Sequence, residues 1–280
     1  TGGLIVTNRS TAGLAGGTGS ATSLDARFDL EELGLGTPGS VSAYFEDRSE
    51  GFSTLDYQVR DDERLWGRAR DVELNTRSAL QFTYDDFESD TGEVKRELEA
   101  SVSYALSDAN TLDVGISHID RDEPGAPADE TGRRTDLAVR YTHAPNDDLE
   151  VYGFVQGTLE RSGGISANNR VGIGGSVAVS ERWTVGGEVS GGSLGAAGEL
   201  SVTFEENTTD QTYLSYRLDP SREVSGSTLT GRDRGTLVAG AKRKVSDQVN
   251  IFGETTLDFF GAQRSTARSY GVEYRRTEAL

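Results

Sequence analysis

Apolar and polar residues take turns along most of the chain. From Ser23 to Leu30, Leu24, Ala26, Phe28 and Leu30 hold one parity, and Ser23, Asp25, Arg27 and Asp29 hold the other. The pattern returns with Val41, Ala43 and Phe45 against Ser42, Tyr44 and Glu46, and with Leu80, Phe82 and Tyr84 against Gln81, Thr83 and Asp85. It continues through Leu98 to Leu106, Leu112 to Ile116, Leu137 to Tyr141, Val171 to Val179, Leu200 to Phe204, Val249 to Phe259 and Tyr270 to Tyr274. A period of two places successive side chains on opposite faces of a β-strand, so each segment predicts a strand with one apolar and one wet face. No segment of similar length shows helical spacing. The pattern predicts an all-β protein of about 16 strands, within a range of 12 to 18. Before Ser20 only the short run Leu4 to Val6 and the Gly-rich stretch Gly13 to Gly19 are present, and these define no clear strand.

The connections alternate too. Asn75 to Arg77, Ser107 to Asn110, Ala144 to Asp148, Ser180 to Arg182, Glu206 to Asp210 and Ser246 to Gln248 are short and rich in Asn, Asp and Ser, the chemistry of tight turns. Between them fall longer connections: Ser49 to Asp61, Asp85 to Glu93, Asp120 to Gly132, Glu160 to Asn169, Asp219 to Asp233 and Phe260 to Thr266. In an antiparallel up-and-down meander the short connections then collect at one end of the strands and the long ones at the other. Dyad alternation, strands of about ten residues and unequal ends together describe a transmembrane β-barrel. Residues 1–280 are read as a single barrel domain, either whole or a fragment of a longer chain. The same alternation also fits a soluble or extracellular β-repeat surface protein, because a period of two does not say which face is inside.

Composition fits this picture. Hydrophobic residues are 34 % of the chain, low for one that must fill a dry core but enough for strands that need only one apolar face. Disorder, the usual companion of low hydrophobicity and high charge, is opposed by 10 Tyr and 10 Phe set within regular segments. No run approaches the roughly 20 apolar residues of a membrane-spanning helix, and any secretion leader is expected to have been removed already. Cys is absent, which excludes disulfides and thiolate metal sites. The formal charge of −18 opposes binding to nucleic acid.

The wet parity carries both signs of charge. Its candidate pore-lining residues are Arg27, Asp29, Arg68, Glu99, Asp113, Asp136, Arg140, Arg170, Glu188, Glu199, Arg217, Lys242, Glu254 and Glu273, with Arg70 and Arg275 also on the basic side and Asp258 on the acidic side. Acid outweighs base, so an open pore is expected to prefer cations. Loop residues Asp86, Glu88 and Asp90, with Glu97 eleven positions after the first, loosely echo a calcium-binding loop, but Thr91 stands where the loop needs Gly. A solvated acidic loop is the plainer reading, and calcium at Asp86 to Glu97 is the weaker one. Asp120, Asp122, Glu123, Asp129 and Glu130 form a second acidic stretch, for which solubility is explanation enough. His118 and His143 stand near strand ends without a nucleophile elbow or triad around them, and no catalytic constellation is visible, so an enzyme is not expected. Gly172, Gly174 and Gly175 fall within a strand and so form no dinucleotide fingerprint. Trp66 and Trp183, with Tyr84, Tyr104, Tyr141 and Phe259, suit the aromatic girdles of a membrane interface.

The hairpins Leu137 to Leu159 (LAVRYTHAPNDDLEVYGFVQGTL) and Thr236 to Leu257 (TLVAGAKRKVSDQVNIFGETTL) resemble outer-membrane barrels of Gram-negative bacteria, and are similar to barrel regions that end long repeat-containing surface proteins of alphaproteobacteria. The resemblance covers nearly the whole chain in hairpin style and transfers no functional residue. It implies location in the outer membrane, contact with its lipids and lipopolysaccharide, insertion by the barrel-assembly machinery, and further domains or subunits. Such barrels usually end on an aromatic residue, whereas Tyr274 is followed by Arg275 to Leu280. A passive pore for small solutes is the first functional expectation. The alternatives are a barrel that anchors or translocates a surface-displayed domain, and the soluble β-repeat protein.

Overall fold

The computed structural model describes residues 3–12, 18–52, 59–125, 131–207, 209–219, 233–246, 248–258 and 265–274. All regular structure among the described residues is β. The strands are β1 (Gly3–Ala12), β2 (Thr18–Asp29), β3 (Gly39–Arg48), β4 (Glu63–Asn75), β5 (Ser78–Ser89), β6 (Val94–Ser107), β7 (Asn110–Asp122), β8 (Gly132–Asn146), β9 (Leu149–Gly163), β10 (Arg170–Ser180), β11 (Trp183–Gly192), β12 (Gly195–Glu205), β13 (Gln211–Asp219), β14 (Asp233–Ser246), β15 (Val249–Asp258) and β16 (Ser265–Tyr274). They form one sheet in which every strand hydrogen-bonds its neighbours in sequence, from β1 to β16 without a crossover. Pairing is antiparallel, as in β1–β2, β4–β5, β10–β11 and β14–β15. The fold is therefore an all-β, antiparallel, up-and-down meander.

By contacts the chain falls into two compact units. One contains Thr1–Leu106, Thr111–Val139 and Gln156–Ala167, and the other contains Ser107–Asn110, Arg140–Val155 and Asn168–Leu280.

The tight turns share one construction. Asn75, Ser107, Asn146, Ser180 and Ser246 each accept, through the side-chain oxygen, the N–H two residues on, at 2.8 to 3.4 Å. These Asx- and Ser-turns close two-residue links after β4, β6, β8, β10 and β14. The ladder shifts register just before three of them, between Glu73 and Asn75, Ala178 and Ser180, and Lys244 and Ser246. Successive turns are also tied together. Ala105 N–H donates to Arg77 O at 2.7 Å, Ala144 N–H to Ala109 O at 2.8 Å, Ala178 N–H to Asp148 O at 2.7 Å and Glu205 N–H to Arg182 O at 2.8 Å. At the longer turn after β12, the Asp210 carboxylate takes over this role and accepts the Lys244 N–H at 2.7 Å.

Four expectations change. Gly3–Ala12 is a strand paired with β2 along its whole length, although its sequence barely alternates. Here the partner strand, rather than amphipathicity, supplies the register. The connection expected from Asp85 to Glu93 shrinks to residues 90–93, because β5 runs on to Ser89 and its acidic residues pair across the ladder instead of entering solvent as a loop. β9 likewise extends to Gly163, which leaves 164–169 as the connection. Finally, the end with the longer connections includes one two-residue turn, residues 193–194, and the opposite end includes a nine-residue one, residues 30–38. Residues 53–58, 126–130, 220–232 and 259–264, which fall in the remaining long connections, lie outside the described residues, as do Gly13–Gly17, Asp129, Glu130, Phe259 and Arg275.

Candidate lining of the polar face

From β8 to β12 the strands offer an apolar and a polar face, and the two differ in exposure in an inverted sense. Val171 and Ile173, on the apolar face of β10, are 63 % and 65 % exposed, while Asp136 and Arg134, on the polar face of β8, are 1 % and 4 % exposed. Val155, Leu159, Val179, Val189 and Leu200 are likewise exposed, and Gln156, Arg170 and Glu188 are buried.

In the first unit the polar face is built around two groups of contacts. Asp136 on β8 accepts from Arg134 Nε at 2.7 Å and from Thr158 Oγ1 at 2.6 Å, and Arg134 Nη1 donates to the carbonyl of Ser166 at 3.0 Å. Arg161 Nη1 donates to the carbonyl of Ile165, also at 3.0 Å, so the connection after β9 is bonded back onto the strands, with Ile165 buried. The second group is a row across β3 to β7. Tyr44, Gly67, Asp85 and Glu97 stand opposite one another in successive ladders, and Arg121 on β7 forms an ion pair with Glu97. Gly67 is where the Tyr44 ring crosses β4, since a Cβ there would come within 2.5 Å of the ring. The Tyr44 hydroxyl passes over it to donate to Asp85 at 2.7 Å.

The second unit repeats the row across β9 to β13. The Tyr152 ring lies over Gly174, where a Cβ would approach it to 2.5 Å, and its hydroxyl donates to Glu188 at 2.7 Å. Glu188 stands opposite Glu199, which stands opposite Arg217, and Arg217 Nε bonds Glu199 at 3.0 Å. On the other side, the Arg140 guanidinium sits 3.8 Å from the centre of the Tyr152 ring and bonds Glu150 at 3.3 Å. Tyr213 crosses Gly240 in the same way to donate to Glu254, a third instance of the tyrosine–glycine–carboxylate triplet.

The remaining sequence candidates have separate surroundings. Arg170 is buried and donates to Ser190 Oγ at 2.9 Å. Lys242 and Glu273 approach to 3.9 Å, and Arg27 Nη2 donates to Ser40 Oγ at 3.2 Å. Asp29 ends its strand and caps the turn that follows, accepting the N–H groups of Glu31 and Glu32 at 2.9 and 3.3 Å. Glu99 shares the polar face of β6 with Glu97, and Asp113 shares that of β7 with Arg121.

Arg68 requires correction. It pairs with Ala43 on one side and Tyr84 on the other, and its guanidinium lies 5.6 Å from the Phe82 ring and 5.8 Å from the Tyr84 ring. Arg68 therefore sits on the apolar face, as does Arg70, opposite Val41 and Phe82. In β4 the apolar-face parity is filled by Arg64, Trp66, Arg68, Arg70 and Val72, so charge alone gave the wrong face.

The acidic stretch considered for calcium is built differently from a binding loop. Asp86 is buried on β5, where it accepts from Arg96 Nε at 3.0 Å and Tyr84 at 2.9 Å, Glu88 pairs with Arg96 Nη2, and Glu97 pairs with Arg121. His118 Nδ1 lies 2.8 Å from Thr135 Oγ1 and His143 Nδ1 lies 2.9 Å from Asn110 Oδ1. The aromatic residues Trp66 and Tyr84 pack at 5.0 Å between ring centres, and Trp183 packs with Phe204 at 4.8 Å, both pairs on the apolar face. The recurring rows were missed in the sequence. Their signal, a Gly midway between a Tyr and an acid on flanking strands, is readable only once three strands are in register.

No protein-family profile and no curated protein matches the chain. Among solved structures it is similar to variants of the Rhodopseudomonas blastica porin. A five-substitution variant shows 12 % identity over 98 % of this chain and 99 % of that one, with a TM-score of 0.49. A three-substitution variant shows 12 % identity over 98 % and 97 %, with a TM-score of 0.48. Another structure, described by the words "asymmetric conductivity of engineered proteins", shows 12 % identity over 98 % and 99 %, with a TM-score of 0.44. No residue role passes from them to this chain.

Proposed function

We propose that the chain is an outer-membrane β-barrel of a Gram-negative bacterium that forms a passive, cation-preferring pore for small solutes. The observation that carries this reading is the inverted exposure of the two faces. In a water-soluble sheet protein the apolar parity is covered, yet here Val171, Ile173, Val189, Leu200 and their neighbours are open while Asp136, Arg134, Arg170 and Glu188 are covered. Lipid is the surrounding that makes such a surface stable, and a sheet in hydrocarbon must close to satisfy its edges. The meander order without crossovers supports the same reading. Carboxylates outnumber cations on the polar face once Arg68 is removed from it, which supports a preference for cations. The end with most of the longer connections would face outward from the cell and the end with the Asx- and Ser-turns inward.

One observation favours a narrowed or plugged lumen, as an anchor or translocator would have: the connection after β9 is bonded onto the polar face through Arg134 and Ser166. A single experiment separates the readings. The purified chain in detergent is expected to migrate as a heat-modifiable β protein and to give ohmic conductance steps in a planar bilayer. Heat-modifiable protein without steps would favour the anchor, and full solubility without detergent would overturn the membrane reading.

A further inference from the structure

The two rows share one composition across five consecutive strands. In chain order they read Tyr44, Gly67, Asp85, Glu97, Arg121 in the first unit and Tyr152, Gly174, Glu188, Glu199, Arg217 in the second. Each row sets two carboxylates directly opposite each other, an arrangement that costs stability in any sheet because the Cβ atoms of such pairs stand only about 5 Å apart. The same costly pair occurs at the same place in both rows, with its members held by unlike donors. Glu97 and Glu199 are held by guanidinium groups, which offset their charge. Asp85 and Glu188 each accept from a phenol hydroxyl, a donor that helps fix a carboxylate in place and brings no charge of its own. The third triplet, Tyr213 to Glu254 over Gly240, uses the phenol again. In each case the acid is reached from two strands away, over a glycine that leaves the ring room to lie flat on the wall.

We infer that Tyr44, Tyr152 and Tyr213 are positioning residues that fix the carboxylates of Asp85, Glu188 and Glu254 on the polar wall and thereby set its preference for cations. This rests on the pore reading above. A neutral donor fixes a carboxylate without cancelling its charge, so the field of that charge still acts on the polar face. Without that donor the Glu254 side chain can turn toward Lys242 on the same face, and the field of the wall weakens. Glycine fits the role for the same reason, since any side chain at Gly67, Gly174 or Gly240 would lift the ring and break the bond.

The test is the permeability ratio of potassium over chloride, from reversal potentials across a planar bilayer under a KCl gradient, with heat-modifiable migration confirming that each variant is folded. The triple variant Tyr44→Phe, Tyr152→Phe, Tyr213→Phe keeps the rings and removes only the hydroxyls. It is expected to form steps and to lose about twofold of the wild-type ratio, each single variant losing part of it. The variant Asp85→Asn, Glu188→Gln, Glu254→Gln is expected to lose at least as much, and adding the three Phe substitutions to it should change nothing further. An unchanged ratio in the Phe variants overturns the inference and leaves the pore standing. A loss that persists in the neutralised background also overturns it, because the tyrosines would then act by another route. Absence of steps from the wild-type chain overturns the pore reading and the inference together.

Discussion

Replacing Asp136 by Ala tests whether the polar face is dry where the connection after β9 meets it. The carboxylate is 1 % exposed and the Arg134 that binds it at 2.7 Å is 4 % exposed, so neither charge has water to fall back on. Removing one partner of a buried pair leaves the other uncompensated, which costs about 3–5 kcal/mol. Thr158 would lose the acceptor it now reaches at 2.6 Å, but Arg134 would keep its bond to the Ser166 carbonyl, so the lower end of that range, about 3 kcal/mol, is the working figure. At about 1.4 kcal/mol per factor of ten, this is roughly a hundredfold in the ratio of folded to unfolded protein. Urea unfolding in lipid vesicles, followed by the fluorescence of the two tryptophans, measures it directly. The double replacement Arg134→Met with Asp136→Leu should recover most of the loss, because removing both charges also removes the cost of keeping them from water. A loss below about 1 kcal/mol for the single variant would refute the reasoning, since that is what a hydrated surface pair is worth. It would mean that water fills the face at this level.

Two further outcomes follow from the geometry. Asp210, in the turn after β12, is held below the ordinary carboxylate range first by the Lys244 N–H and then by the Asn207 side chain. A depressed carboxylate adds stability above its unfolded value, about pH 3.9, and loses it as pH falls through the lower folded value. Asp210→Asn should therefore flatten the fall in thermal midpoint below about pH 4, and an equally steep fall in the variant would show that this carboxylate is not responsible. Arg68→Leu should raise the urea midpoint in vesicles, because a cation facing lipid near mid-strand costs about 2–4 kcal/mol against roughly 1 for its contacts with Phe82 and Tyr84. An unchanged or lower midpoint would place this stretch of β4 away from hydrocarbon.

Where the chain alternates cleanly the sequence is a sufficient guide, as at Leu137, Val139 and Tyr141 against Asp136, Ala138 and Arg140, because parity and face coincide. It fails where charge and face part company. Arg68 and Arg70 look like wet-face residues, but a strand has only two registers, and those of β3 and β5 force them onto the apolar side. The acids Asp86 and Glu88 look like a loop for the same reason: their partner Arg96 is ten and eight residues away and meets them only through the ladder. Gly3–Ala12 shows the opposite failure, a strand with little pattern of its own that borrows its register from β2. The rows of Tyr, Gly, acid, Glu and Arg are spread over 66 to 78 positions of sequence, so no local window contains them.

The two-residue turns also bear on the order in which the sheet forms. The five that carry an Asn or Ser bond each close a hairpin with a two-residue loop, and because that bond is local to the turn it needs no strand pairing to form. Hairpins β4–β5, β6–β7, β8–β9, β10–β11 and β14–β15 can thus zip from this end outward, while the opposite end closes later across longer spans. Assembly is then expected to run from the turn end, where carbonyls that tie one turn to the next align each hairpin with its successor.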